Sequence, residues 1–147
     1  MLWAQPANDS CSNAINLTLQ PLSNPSYTTG DLTNATQTSI PCSGSSANDV
    51  WYKFTAASTG VRIYMPPKSG RNLAFEILDA CNGNSIACIN NNSTSDSESY
   101  YSTDFIPGNT YWIKAVLYNQ TTYDGSFDIV VYDVPQPNND SCTNAEI

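Results

Sequence analysis

Histidine is absent from this 147-residue chain, and only five of its residues are basic. The first absence removes the usual base of Ser-His and Cys-His nucleophile activation. The second leaves Lys53, Arg62, Lys68, Arg71 and Lys114 scattered along a chain of formal charge −8, with no basic stripe to meet phosphates, so nucleic acid is excluded as a partner. No segment is apolar for long enough to span a membrane. Nor are there paired C-x₂-C spacings, and without histidine the cysteines do not read as a zinc site.

What is present is polar but uncharged. Ser, Thr and Asn fill 49 of the 147 positions while charged residues make up only 12%, a profile of secreted β-proteins. With 40% hydrophobic residues, three Trp and nine Tyr, the chain can order its backbone, and its length suits one domain with its own core.

One stretch occurs twice. Gln5-Pro6-Ala7-Asn8-Asp9-Ser10-Cys11-Ser12-Asn13-Ala14 returns as Gln136-Pro137-Asn138-Asn139-Asp140-Ser141-Cys142-Thr143-Asn144-Ala145, displaced by 131 residues and identical at eight of ten positions. A period of 131 is the length of a domain and too long for a solenoid repeat. The expectation is one module over residues 5–133, then a Pro-rich linker and the start of the next repeat, or an inter-subunit tail, over 134–147. Residues 1–4 read as the end of a secretory signal or as an expression remnant. On this reading Pro137, Asn139, Asp140, Cys142 and Ala145 form the interface between modules.

The repeat also orders the cysteines. Cys142 is the second copy of Cys11, so the module owns Cys11, Cys42, Cys81 and Cys88, which allow three connectivities. Closing local loops favours Cys11–Cys42 with Cys81–Cys88, and Cys142 would then bond to the next module's counterpart of Cys42.

Alternation of apolar and polar residues predicts strands throughout. They fall at 14–19, 26–29, 31–36, 49–56, 61–65, 73–78, 86–89, 99–105, 110–118 and 126–132, the second and third being weak. Asp79-Ala80-Cys81-Asn82-Gly83-Asn84 is a hairpin signal between two of them. About eight substantial strands with no helical period predict an antiparallel β-sandwich of jelly-roll type, stapled by two disulfides.

Five motifs carry a family resemblance. They are Pro6-Ala7-Asn8-Asp9 with Cys11 and Asn13-Ala14-Ile15; Asp49-Val50-Trp51-Tyr52 with Phe54-Thr55-Ala56; Leu78-Asp79-Ala80-Cys81 with Gly83; Pro107 to Lys114; and Gly125 with Phe127, Ile129 and Val131. Together they resemble the β-sandwich repeats of large secreted bacterial surface proteins, related to pre-peptidase C-terminal domains, over Pro6 to Tyr132. The resemblance implies an accessory binding or spacer module outside the cell, with no catalysis of its own.

Candidate sites follow from residue types. Lys68-Ser69-Gly70 is the only adjacent Ser-Lys pair, in a loop expected to be exposed, and the carboxylates near strand ends are more simply turn formers; no catalytic residue is assigned. Asp49, Asp79, Asp104 and Asp124 at strand ends could offer hard oxygen ligands to calcium, although no Asp-x-Asp-x-Asp-Gly run exists. Tyr64, Tyr100, Tyr101, Trp112 and Tyr118 are candidates for an aromatic platform facing a glycan. The favoured function is a non-catalytic extracellular module that assembles end to end with copies of itself or like modules into a surface filament or adhesin stalk. The alternative is a carbohydrate-binding accessory domain of an exported hydrolase.

Overall fold

The computed structural model describes residues 4–38, 48–68, 70–91, 96–118 and 125–137. Two sheets face each other. One holds β1 (Ile15–Asn16), β3 (Asp49–Thr55), β8 (Thr110–Tyr118), β5 (Asn72–Leu78) and β6 (Ser85–Ile89), in that order across the sheet. The other holds β2 (Thr28–Asp31), β9 (Ser126–Asp133), β4 (Val61–Met65) and β7 (Glu98–Ser102). The predicted all-β sandwich is therefore present among the described residues, with nine strands. It is not wholly antiparallel, because Ile15 and Asn16 run parallel to Tyr52 and Lys53 on the edge of β3.

The core forms where alternate side chains of both sheets point inward. Val50, Tyr52 and Phe54 of β3 meet Ile113, Ala115 and Leu117 of β8 and Leu73, Phe75 and Ile77 of β5. Val61, Ile63 and Met65, with Phe127, Ile129 and Val131, close the core from the other sheet. Burying each large apolar side chain contributes about 1.5–3 kcal/mol. Gly30 sits within β2 rather than between the two weak strands expected at 26–29 and 31–36. A Cβ there would collide with the Tyr52 hydroxyl and the Phe127 ring, so glycine lets β2 lie close over the core. Burial pushes the Tyr52 phenol up to about 12.

The strand at 14–19 shrinks to two residues, and the apolar alternation there survives only in part: Leu17 is buried while Ile15 is exposed. Residues 4–14 instead act as a leader across the first sheet. The Asn8 carbonyl accepts from the Trp51 amide at 2.8 Å, and its Nδ2 donates to the Trp51 carbonyl at 2.9 Å. The Asp9 carboxylate accepts from Thr36 N at 2.6 Å and from Thr36 Oγ1 at 2.7 Å. One turn of 3-10 helix, Cys11–Asn13, then brings Cys11 to Cys81.

That disulfide corrects both expected pairings, since it takes Cys11 from Cys42 and Cys81 from Cys88. The reason is the ladder itself. Cys88 faces Glu76, two residues along β5 from the Leu78–Ser85 pair at the turn, which is about 7 Å before the turn holding Cys81 begins. Local in sequence is not local in a hairpin. Cys88 is itself disulfide-bonded; Cys42 and Cys142 lie outside the described residues.

The leader explains why the outer face of β3 is buried at Trp51, while Lys53 is half-buried and Thr55 exposed. Trp51 is only 1% exposed, packed with Cys11, Cys81, Leu78 and Trp112. Across this face the ladder sets Trp51 beside Lys114 and Lys114 beside Glu76. Lys114 Nζ lies 2.6 Å from Glu76 Oε2 and 5.6 Å from the centre of the Trp51 ring. Asp49 accepts from Trp51 Nε1, Thr38 N and Thr38 Oγ1. Burial holds its carboxyl above the usual aspartate range, and the Thr38 and Trp51 donors with Lys114 pull against that.

Candidate functional site

β6 and β7 are edge strands of the two sheets and approach each other across the sandwich. Inward residues of β7 alternate as Glu98, Tyr100 and Ser102, while Ser99 and the half-exposed Tyr101 face out. After β7 the chain turns, with Ser102 Oγ donating to Asp104 Oδ2 at 3.0 Å and Asp104 N donating to Ser102 Oγ at 3.1 Å. Phe105 then drops into the sandwich, its amide on the Thr59 carbonyl at 3.2 Å. Its ring meets Tyr111 at 4.9 Å, Phe54 at 5.7 Å and Tyr100 at 6.4 Å, all edge to face. The Tyr111 hydroxyl accepts from the Ile106 amide at 3.0 Å, which fixes the ring.

Above this aromatic floor lies a cleft of about 250 Å³ lined by Ile86, Tyr100, Ser102, Asp104, Phe105 and Tyr111. It is a little smaller than the roughly 300–1,000 Å³ of sites for drug-sized ligands, so a small, compact ligand fits its scale. The lining combines the aromatic side chains of Tyr100, Phe105 and Tyr111 with the Asp104 carboxylate and the Ser102 hydroxyl, which suits a molecule with both C–H surface and hydroxyl groups. Among the described residues the lining holds one carboxylate, that of Asp104.

The sequence candidates scatter around this cleft. Tyr100 and Asp104, selected for different ligands, both line it. Tyr64 lies on the outer face of the second sheet, with Arg62 5.1 Å from its ring centre, and Tyr101 shares that face with its hydroxyl accepting from Gln136 Nε2 at 2.9 Å. Trp112 packs on the opposite side of the molecule, against the Trp51 and Cys81 cluster. The single aromatic platform is thus divided among three surfaces, because consecutive strand residues such as Tyr100 and Tyr101 point to opposite faces. Tyr118 belongs to β8, but its side chain lies outside the described residues.

The calcium set does not gather either. Asp49 is buried at the start of β3, at the end of the sheet away from Asp79. Asp79 closes the β5–β6 turn by accepting from Asn84 N at 2.7 Å and Asn84 Nδ2 at 3.1 Å. Asp124 lies outside the described residues, among which no three acidic or cysteine side chains cluster as metal ligands. Pro137 is exposed; Asn139, Asp140, Cys142 and Ala145 fall outside the described residues. Ile86, Ser102, Phe105 and Tyr111 were not selected from sequence. Phe105 in particular reads as the end of a strand, whereas β7 stops at Ser102 and the turn carries Phe105 inward.

A profile of a T9SS-associated family, described as galactose-binding domain-like, matches residues 7–129. The chain belongs to this family. As a T9SS-associated galactose-binding domain-like chain, it is a bacterial secreted protein. Among solved structures, this galactose-binding domain-like chain is similar to the pre-peptidase C-terminal domain of collagenase from Bacillus anthracis, at 15% identity and a TM-score of 0.49, covering 80% of this chain and 93% of that one. The resemblance drawn from the sequence motifs agrees with the family match. Comparison with curated proteins gives no match. Among the described residues no helix is long and apolar enough to cross a membrane.

Proposed function

We propose that this is a non-catalytic carbohydrate-binding module, which takes one sugar ring in the cleft between β6 and β7. The observation that supports the reading is the cleft lining, where Tyr100, Phe105 and Tyr111 are joined by Asp104 and Ser102. A pyranose presents a C–H face to aromatic rings and hydroxyl groups to a carboxylate, which is the division of chemistry found here. The family description makes galactose-bearing glycans the first ligands to try.

Binding of the intact protein to a panel of galactose-, glucose- and mannose-terminated glycans, followed by calorimetry on the best, tests this. A hydrogen bond to a charged group contributes about 1.5–3 kcal/mol, so Asp104→Ala weakens binding by roughly 10- to 150-fold. Asp104 is exposed, so the melting temperature of that variant stays near that of the parent. Failure of every glycan at millimolar concentration, or unchanged affinity in both Asp104→Ala and Tyr100→Ala, overturns the reading.

A second reading, serial assembly of like modules into a filament or stalk at the cell surface, is favoured by the repeat of residues 5–14 at 136–145. The two readings are compatible, since the cleft involves none of the repeated residues.

A further inference from the structure

We infer that residues 136–145 are a docking element for a like module, seating where residues 5–14 seat on this one, with Cys142 bonded to that module's counterpart of Cys81. The inference rests on what the first copy does. Asn8 brackets Trp51 through both its carbonyl and its side-chain amide, Asp9 holds Thr36 through both carboxylate oxygens, and Cys11 bonds to Cys81. Ala14 packs on the Trp51 cluster. Each of these residues recurs, as Asn139, Asp140, Cys142 and Ala145.

The two positions that differ are informative. Ala7 and Ser12, replaced by Asn138 and Thr143, are both exposed in the seated leader, and the one side-chain bond made there, between the Ser10 and Ser12 hydroxyls, needs only the hydroxyl that threonine keeps. Change is confined to where the leader touches nothing that requires the original side chain. The receiving site is complete within one module, being made of Trp51, Thr36 and Cys81. It also moves the expected partner of Cys142 from the counterpart of Cys42 to that of Cys81.

Seating on a module whose leader is already bonded proceeds by exchange. The Cys142 thiolate attacks Cys81 Sγ, a new S–S bond forms, the Cys11–Cys81 bond breaks, and Cys11 leaves as a thiolate that takes up a proton, with no net oxidation.

The test uses the intact wild-type chain in a glutathione redox buffer with a synthetic peptide of residues 136–145. The peptide is supplied at about millimolar concentration to compete with the tethered leader. Peptide mapping by mass spectrometry is expected to find the peptide's Cys142 on Cys81, at least about tenfold more than for a peptide carrying Asn139→Ala and Asp140→Ala. Equal capture of both peptides, or capture spread without preference over the other cysteines, overturns the inference. With Cys11→Ala in the full chain, checked for an intact fold by its melting transition, capture of the peptide at Cys81 rises further. The absence of that rise in a folded variant also overturns it. In a chain of two consecutive modules, a Cys142 bond that does not depend on protein concentration assigns the next module as receiver, and one that grows with concentration assigns a second copy.

Discussion

Removing the Cys11–Cys81 bond with Cys11→Ala and Cys81→Ala together should be among the most damaging changes that leave the main core between the sheets untouched. The bond joins residues 70 apart in sequence. In the chain-entropy model a loop of that size restrains the unfolded chain by about 4.4 kcal/mol at 25 °C. At roughly 2.1 cal/mol/K of unfolding entropy per residue, a chain of 147 residues loses about 14 °C of melting temperature. Calorimetry of the double variant beside the parent measures this directly. The variant is preferable to reducing the parent, because a reductant would also open the bond made by Cys88. Trp51 supplies a second readout: its ring is covered by the leader cluster, so its emission should move to longer wavelength if the leader lifts. A fall of less than about 4 °C with unchanged Trp emission would refute the reasoning, showing that hydrogen bonds from Asn8 and Asp9 hold the leader without the covalent link.

Gly30→Ala forces a methyl group into the Tyr52 hydroxyl and the Phe127 ring, and should cost about 1–3 kcal/mol in a denaturant titration; an unchanged midpoint would show that β2 can lift away freely. Lys114→Met leaves the buried Glu76 carboxylate without its cation and should cost about 3–5 kcal/mol, most of it recovered when Glu76→Leu is added. Equal loss in the single and double variants would contradict the ion-pair account. Glu98, fully buried, has its carboxyl held above its ordinary value of 4.5 by burial, while its hydrogen bonds from Asn91 N act in the opposite direction. The folded protein therefore keeps this proton at a pH where the unfolded chain has lost it. This contribution to stability is fully present below 4.5 and is lost as pH rises through the folded-state value. Urea midpoints measured upward from about pH 4 should decline less steeply in Glu98→Gln than in the parent, and identical slopes would remove Glu98 as the cause.

Strands with one apolar face were legible from sequence nearly to the residue. Val61–Met65 and Thr110–Tyr118 coincide with the expected bounds, since alternation over five or more residues leaves one register that buries the apolar side. What alternation does not encode is what covers the other face. Trp51 lies on the face of β3 opposite Val50, Tyr52 and Phe54, yet the leader and the disulfide bury it, through contacts 43 residues apart in sequence for Asn8 with Trp51 and 70 for the bond. The cysteine pairing meets the same limit: proximity along the chain is not proximity in space, and hairpin geometry separates Cys81 from Cys88. The cleft was half legible: Tyr100 and Asp104 stood out by type, but only the turn after Ser102 brings Phe105 and Tyr111 beneath them.

The position of β9 carries a consequence for how the protein is made. Its neighbours in the second sheet are β2 and β4, with Gly30 opposite Phe127 and Ile63 opposite Val131. On a growing chain β2 is synthesised nearly a hundred residues before β9, its ladder partner among the described residues, so that sheet stays divided until β9 arrives. A nascent chain, or one clipped ahead of Ser126, would expose the edges of β2 and β4 to proteolysis and to pairing with other chains. Completion of the sandwich is thus tied to delivery of Ser126–Asp133, the strand that joins β2 to β4.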